Sequence, residues 1–408
     1  MQARDQESSY KTGAIVDRLR ELTELRAGVD GALAGRGRLF TIAGEPGIGK
    51  SRLADEAAAY AGAQGALVLW GRCLEGGGAP AYWPWVQVVR GLANSAEPAL
   101  VSNWMGPGAA EIAQIVPELR NRMIGLPDLP SASLAQPEQA RFRLFDSAVS
   151  FLRKAADAQP LLIVLEDLHA ADPTSLLMLI ALSRDIRSTR AMVIGTYREV
   201  EIKHSPERAA LIAEAEREGV LLPLRGFGEA DIGEFIERAW GISATIALIN
   251  LLRDTTEGNP FFLSEILRLM AAEGQLAGDT STVPRRLRIP SGVRESIKRL
   301  TEPLGEDARR ILSIASVIGR EFDLNCLEGA SRVPREGLME LLDQAALLEL
   351  INEVRGAAGR YSFRHALIRE ALYDSLPPTR RRTLHRLVAE AIRSTQTLAL
   401  PFAEIAYH

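Results

Sequence analysis

The chain has 408 residues, 47% hydrophobic and 25% charged, with a formal net charge of -4; this is the composition of a soluble globular protein of two or three domains, without a general electrostatic pull toward nucleic acid or anionic lipid. Its cysteines, Cys73 and Cys326, lie far apart, which excludes a disulfide framework or a cysteine zinc site and fits a reducing cytoplasm. The polar start MQARDQESSYKTG lacks the apolar core of a secretory signal, and apolar runs such as LLMLIAL from Leu176 are far below membrane-spanning length, so a cytoplasmic protein with no membrane partner is expected.

Residues 1–14 read as a disordered start. From Val16 to Ala34, Leu19, Leu22, Leu25 and Leu33 recur among charges, which predicts an amphipathic helix. A strand, LFTIAG, then leads through GEPGIGKS into an alanine-rich helix to about Ala63, and a second strand spans Ala66–Gly71. Strand, loop, helix and strand in that order signal a parallel α/β sheet. Cys73 to Pro137 is less regular, with EGGGAP and the aromatic cluster YWPW, and reads as an excursion with short helices. A helix over Ala140–Ala156 and a third strand, LLIVLE, follow, then the helix PTSLLMLIALSRDI with Pro173 just inside its start. AMVIGTYR is a fourth strand and VLLPL from Val220 a fifth.

Beyond Gly226 the alternation stops. Glu229–Ala272 reads as helices interrupted by TTEGNPFF, and a loose segment between about Gly274 and Gly292 reads as a linker. Helices are expected near Val293–Arg299, Glu306–Ile318 and Arg335–Ala346, before two short strands, LLELINE and GRYSFR. Helices followed by a hairpin suggest a winged helix.

The stretch Gly44, Glu45, Pro46, Gly47, Ile48, Gly49, Lys50, Ser51 fits the phosphate-loop pattern G-x-x-x-x-G-K-[ST], and Arg52 continues it into the helix. Glycines let successive backbone N–H groups face an anion, to which the following helix adds its positive end. Lys50 is expected to reach the β- and γ-phosphates of ATP, and the hydroxyl of Ser51 to ligate magnesium. Glu166 and Asp167 end LLIVLED at the rim where open α/β sheets bind ligands; by themselves they are equally a charged turn after a core strand. Beside a phosphate loop, Glu166 is expected to hold magnesium directly or through water, and Asp167 to polarise the attacking water. His169 and Asp172 are either helix-start polar residues, with Asp172 the cap before Pro173, or ligand contacts. Arg198, closing GTYR, is placed to pair with a γ-phosphate and so distinguish ATP from ADP, the alternative being a surface salt bridge.

With those residues read, the chain resembles the signal-transduction ATPases with numerous domains, in the branch of the MalT-type activators and cyclase-associated ATPase modules, a class similar to origin-recognition AAA ATPase domains. The resemblance runs from about Ile15 to His408 and rests on GRGRLFTIAGEPGIGKSRL, LLIVLEDLHAADPTSLLML, GTYREVE, GNPFFLSEILR and YSFRHALIREALYDSLPPTRRRTLHR. It implies an α/β P-loop fold: a five-stranded nucleotide-binding domain over 15–226, a helical lid over 227–285 and a winged-helix domain over 286–378. Residues 379–408 then correspond to the start of a helical sensor region, which implies a truncated product or an excised piece. Pro260 of GNPFF is implied to pack on the adenine, and His365 of FRHALIRE to stand where relatives have a histidine at the ADP phosphate, although Ala366 replaces the aspartate of that motif. Arg18 of IVDRL survives from the relatives' adenine-side hinge, which has here lost its glycine and acid. Ala170 replaces a usual tryptophan.

The function implied is a nucleotide-gated switch of a transcriptional regulator or cyclase system, held closed by ADP, rearranged by ATP with an inducer, self-associating on activation, and reset by slow magnesium-dependent hydrolysis. Sensor and effector domains are implied on the same or a partner chain. The alternative is an initiator-type ATPase using its winged helix on DNA; VPRRLRIP and PTRRRTLHR are basic enough to consider, while the acidic overall charge weighs against it. A kinase lacks an evident acceptor site.

Overall fold

The computed structural model describes residues 18–74, 80–122, 137–203, 205–272, 289–348, 350–354 and 359–395. The expected disordered start over 1–14, EGGG, most of the linker expected between Gly274 and Gly292, the basic part of VPRRLRIP and the terminal FAEIAYH lie outside them. The chain divides into two compact units, one ending at Leu224 and the other beginning at Arg225.

The first unit is built on a five-stranded sheet in the order β2-β3-β4-β1-β5, with β1 Arg38–Ala43, β2 Leu67–Arg72, β3 Leu161–Glu166, β4 Ala191–Tyr197 and β5 Val220–Pro223. All four pairings are parallel. The continuous apolar runs follow from that geometry, because an inner parallel strand is covered on both faces. β4 is buried throughout and β3 as far as Leu165. The register aligns Ala43 with Tyr197 and Arg72 with Glu166, so the residues that follow these strands leave from one rim.

The helix Leu19–Leu33 buries Leu22, Leu25, Val29 and Ala32, the stripe its spacing requires. The helix Lys50–Ala63 buries Leu53 and the small Ala54, Ala57, Ala58 and Ala61. The excursion holds short helices, Trp83–Asn94, Pro98–Met105, Ala109–Ile115 and Leu119–Arg122, before the long Pro137–Ala158. Trp85 anchors it: fully buried, its indole N–H donates to the Ser175 carbonyl at 2.9 Å.

The second unit is mainly helical, with Glu229–Trp240, Ile246–Thr256, Pro260–Ala272, Ser291–Thr301 and Glu306–Ile318 leading to a three-stranded antiparallel sheet. Its strands are β6 Glu321–Asp323, β7 Ile351–Glu353 and β8 Arg360–Phe363, with β8 central. One hydrophobic cluster runs from Phe227 and Ile232 through Leu312, Phe322 and Phe363 to Ile392.

Three local expectations are corrected here. The strand expected from Leu347 begins only at Ile351, because Leu347 still belongs to the helix Arg335–Leu347 and the Leu350 N–H returns to the Ala345 carbonyl at 3.0 Å. β6 and the helix Leu324–Ser331 were not expected; Asp323 caps that helix, accepting from Asn325 N at 2.8 Å and Cys326 N at 3.4 Å. Pro260, expected in a helix-breaking loop, opens the helix Pro260–Ala272, where its missing N–H costs nothing. In the helix Pro378–Thr395, Arg381 stacks over the Tyr373 ring at 4.6 Å and donates to the Asp374 carbonyl at 2.8 Å.

Candidate functional site

The loop between β1 and the helix Lys50–Ala63 takes backbone angles that side chains resist. Gly44, Gly47 and Gly49 have φ of 152°, 77° and 107°. A Cβ on Gly44 would stand 3.0 Å from both Ile48 Cγ2 and the Leu224 carbonyl, so another residue would be strained by the angle and crowded by its neighbours. Ile48 is buried beneath the loop, while Glu45 and Pro46 are half-buried and Gly47 is exposed. Arg18 braces it from below: itself buried, it donates from Nη2 to the Ile48 carbonyl at 3.5 Å and lies 3.7 Å from Glu21.

Lys50 folds back over its own loop, its Nζ donating to the carbonyls of Gly44 and Glu45 at 2.8 Å each. Burial, and next the charge of Arg198, lower its pKa to about 8, against the opposing pull of Asp167, Glu201 and Glu45. Ser51, at the exposed start of the helix, hydrogen-bonds the Glu166 carboxylate. Arg52 pairs with Glu56 at 3.0 Å, one turn along the helix.

Glu166 ends β3, and burial raises its pKa against the opposing effects of the Ser51 hydrogen bond and Arg72. Asp167 has left-handed φ 60° and ψ 45°, an angle rare for a residue with a side chain. Its N–H donates to Thr196 Oγ1 at 3.2 Å, so the neighbouring strand β4 helps fix it there. Arg72 Nε stands 3.7 Å from both carboxylates.

Arg198 follows β4 directly and donates from Nη1 to Glu201 Oε1 at 2.6 Å. The other oxygen of Glu201 is 3.0 Å from Nε2 of the buried His169. Burial alone would raise the Glu201 carboxyl, but the hydrogen bond and charge of His169, and then Arg198, hold it down at about 2. Asp172 caps the helix Pro173–Asp185, accepting from Ser175 N at 3.0 Å, and also accepts from Tyr82 N at 3.2 Å.

Lys50, Ser51, Glu166, Asp167 and Arg198 are thus brought together on one rim by hydrogen bonds and by charges felt between them. Arg72, Thr196 and Glu201 join them without having been singled out from the sequence. A charge at the very end of the β2 run, and an acid one helical turn beyond Arg198 in GTYREVE, were the available signals. Pro260 and His365 belong to the second unit. His365 precedes the helix Ala366–Ser375; its Nδ1 lies 3.3 Å from Glu257 Oε2, and its ring meets Phe262 edge-on at 6.2 Å. Glu257 also accepts from Arg320 Nη2 at 3.2 Å.

Residues 15–194 match the family model described as AAA ATPase domain. That stretch is similar to an AAA ATPase domain. That class binds nucleotide, usually with magnesium. An uncharacterized protein of Rhizobium meliloti (strain 1021) is 27% identical over 412 residues, covering 95% of this chain and 38% of its own length. The chain therefore spans well under half of that curated relative. Among solved structures, a signal transduction ATPase with numerous domains and a tetratricopeptide repeat sensor from Pyrococcus horikoshii is 16% identical, with TM-score 0.39, covering 94% of this chain and 46% of its own. The Walker-type ATPase of Pyrococcus abyssi is 13% identical, with TM-score 0.45, covering 88% and 96%. The ORC1 protein of Aeropyrum pernix in complex with DNA is 15% identical, with TM-score 0.42, covering 89% and 93%. Among the described residues, no helix is long and apolar enough to cross a membrane.

Proposed function

We propose that this chain is the nucleotide-gated switch module of a cytoplasmic regulator or cyclase system, binding ATP and ADP and hydrolysing ATP slowly. What carries the reading is the meeting of Lys50, Ser51, Glu166, Asp167 and Arg198 on one rim of a parallel sheet. The loop amides of Gly44–Ser51 and the helix start hold the phosphates, Lys50 exchanges its own loop carbonyls for phosphate oxygens, and Arg198 pairs with the γ-phosphate.

The donor set fits magnesium. Ser51 and Glu166 are already hydrogen-bonded partners, so a hydroxyl and a carboxylate stand within reach of one ion. Among the described residues there is no group of three or more His, Cys, Asp or Glu that could hold a metal ion; an ion that keeps waters and phosphate oxygens, as magnesium does, suits so sparse a set. When bound, it neutralises charge developing on the phosphates. Asp167 orients the attacking water, with its backbone fixed by Thr196. Arg18 acts through the loop it braces, and Pro260 and His365 provide the second unit's response to the base and phosphate, within the lid over 227–285 and the winged helix over 286–378. Activation brings self-association, with sensor and effector segments supplying signal and output.

The test is the nucleotide that purifies with the protein, counted per chain. ADP near one per chain is expected, and Lys50→Ala should empty the site of ADP and ATP alike while leaving the circular dichroism of the fold intact. Nucleotide retained at full occupancy by a folded Lys50→Ala protein contradicts the site.

A further inference from the structure

We propose that Glu201 is a latch: a positioning residue that competes with the γ-phosphate for Arg198 and so sets how strongly the site prefers ATP over ADP. The inference rests on the nucleotide reading of the site and adds to it a residue that sets nucleotide preference.

The geometry divides one carboxylate between two partners. Oε1 accepts from Arg198 Nη1 at 2.6 Å, and Oε2 is 3.0 Å from His169 Nε2. The three come from different places: Arg198 from the end of β4, Glu201 from the short helix Glu199–Ile202 that follows it, and His169 from the turn after Asp167. His169 is 2% exposed, and its carbonyl accepts from Arg208 Nη1 at 3.3 Å, so the wall against which Glu201 rests is itself held. Arg198 and Glu201 are both close enough to act on Lys50, in opposite directions. Arg198 follows Tyr197, which the register sets beside Ala43 just before the phosphate loop, so it leaves from the same rim as the loop, with its guanidinium turned to a protein carboxylate.

A γ-phosphate offers Arg198 the same chemistry as Glu201, two acceptor oxygens with negative charge, and a guanidinium engages one such partner bidentately at a time. Taking Arg198 for the nucleotide means breaking its bond to Oε1. Glu201 is not left without a partner, because Oε2 keeps His169, which lowers the cost of release. ADP has no γ-phosphate and leaves the latch closed. The exchange thus ties the Arg198–Glu201 bond to the number of phosphates bound, a differential interaction of the kind a two-state switch requires.

The experiment measures equilibrium binding of ATP and ADP with magnesium to the full chain, to Glu201→Gln, to Arg198→Ala and to the double variant. Glu201→Gln weakens the hold on Arg198 while keeping the shape of the side chain, and should raise the ATP over ADP preference about tenfold, the size of a charge-assisted hydrogen bond. Glu201→Asp, which keeps the charge but withdraws it, should move the ratio in the same direction by less. In the Arg198→Ala background neither change should move the ratio. An unmoved ratio in Glu201→Gln, or the same gain with Arg198 absent, overturns the latch. Lys50→Ala separates the two readings: if it loses both nucleotides while the Glu201→Gln ratio stays unmoved, the latch alone fails. If it still binds them, the site and the latch fail together.

Discussion

Lys50 concentrates the site's electrostatics in one amine. Its pKa falls from 10.5 to about 8, with burial first and Arg198 next among the causes. Between those values the unfolded chain holds a proton that the folded one has shed, so Lys50 makes the protein more stable as pH rises from about 8 toward 10. Denaturant unfolding across that range should show the slope in the wild type and lose part of it in Lys50→Met. Phosphates placed beside the amine restore the proton, so nucleotide binding at about pH 9 should take up a proton fraction that vanishes near neutrality. Calorimetry in buffers of different ionisation enthalpy reads this directly; equal heats in all buffers at the higher pH would exclude Lys50 from phosphate contact. Arg198 makes a complementary prediction. Arg198→Ala should leave ADP affinity unchanged and weaken ATP by about tenfold, the worth of a charged hydrogen bond partly exposed to water. Equal losses for both nucleotides would remove it from the γ-phosphate.

At the level of elements, the rim depends on how the segment after β3 is anchored. Asp172 accepts from Ser175 N and Tyr82 N, tying the start of the helix Pro173–Asp185 to the start of the helix Trp83–Asn94. Burial alone would raise its carboxyl, but hydrogen bonds from Ser175 and Thr174, with Tyr82 N among the donors, hold it below the ordinary value. Its stabilising effect is therefore present above the unfolded carboxylate pKa and fades as pH falls through the folded one. Asp172→Ala should cost about 1–2 kcal/mol, with Asp172→Asn, another good cap, recovering much of it at neutral pH. Denaturant midpoints at neutral and acid pH check both, and a wild-type-like midpoint for Asp172→Ala would refute the cap. This cap, the phosphate loop and β3 were legible in the sequence because each is written in adjacent residues: glycines at fixed spacing, a five-residue apolar run, an acid before a proline. β6 and the helix Leu324–Ser331 were not, since three residues of strand give too short an alternation to read. Arg72 and Glu201 escaped notice for a different reason. Their partners, Glu166 and His169, come from other elements, and only the register of β2 on β3 and the turn after β4 bring the charges together.

On the scale of the whole molecule, each compact unit has its own hydrophobic core, one around Leu39, Ile163 and Val193 and one around Ile266, Leu312 and Phe363. Units with separate cores need not unfold together, so calorimetry should resolve two transitions rather than one. The loop Gly44–Ser51 and both acids lie in the unit ending at Leu224. ATP at about a hundred times its dissociation constant should stabilise that unit by about 2.7 kcal/mol, which moves its midpoint roughly 5–11 °C. The gated reading asks for more, because it assigns Pro260 and His365 to the response of the second unit. On that reading ADP raises the second midpoint as well, and His365→Ala abolishes the second shift while sparing the first. A second transition indifferent to ADP in the wild type would confine the nucleotide to the first unit and leave the histidine a structural partner of Glu257.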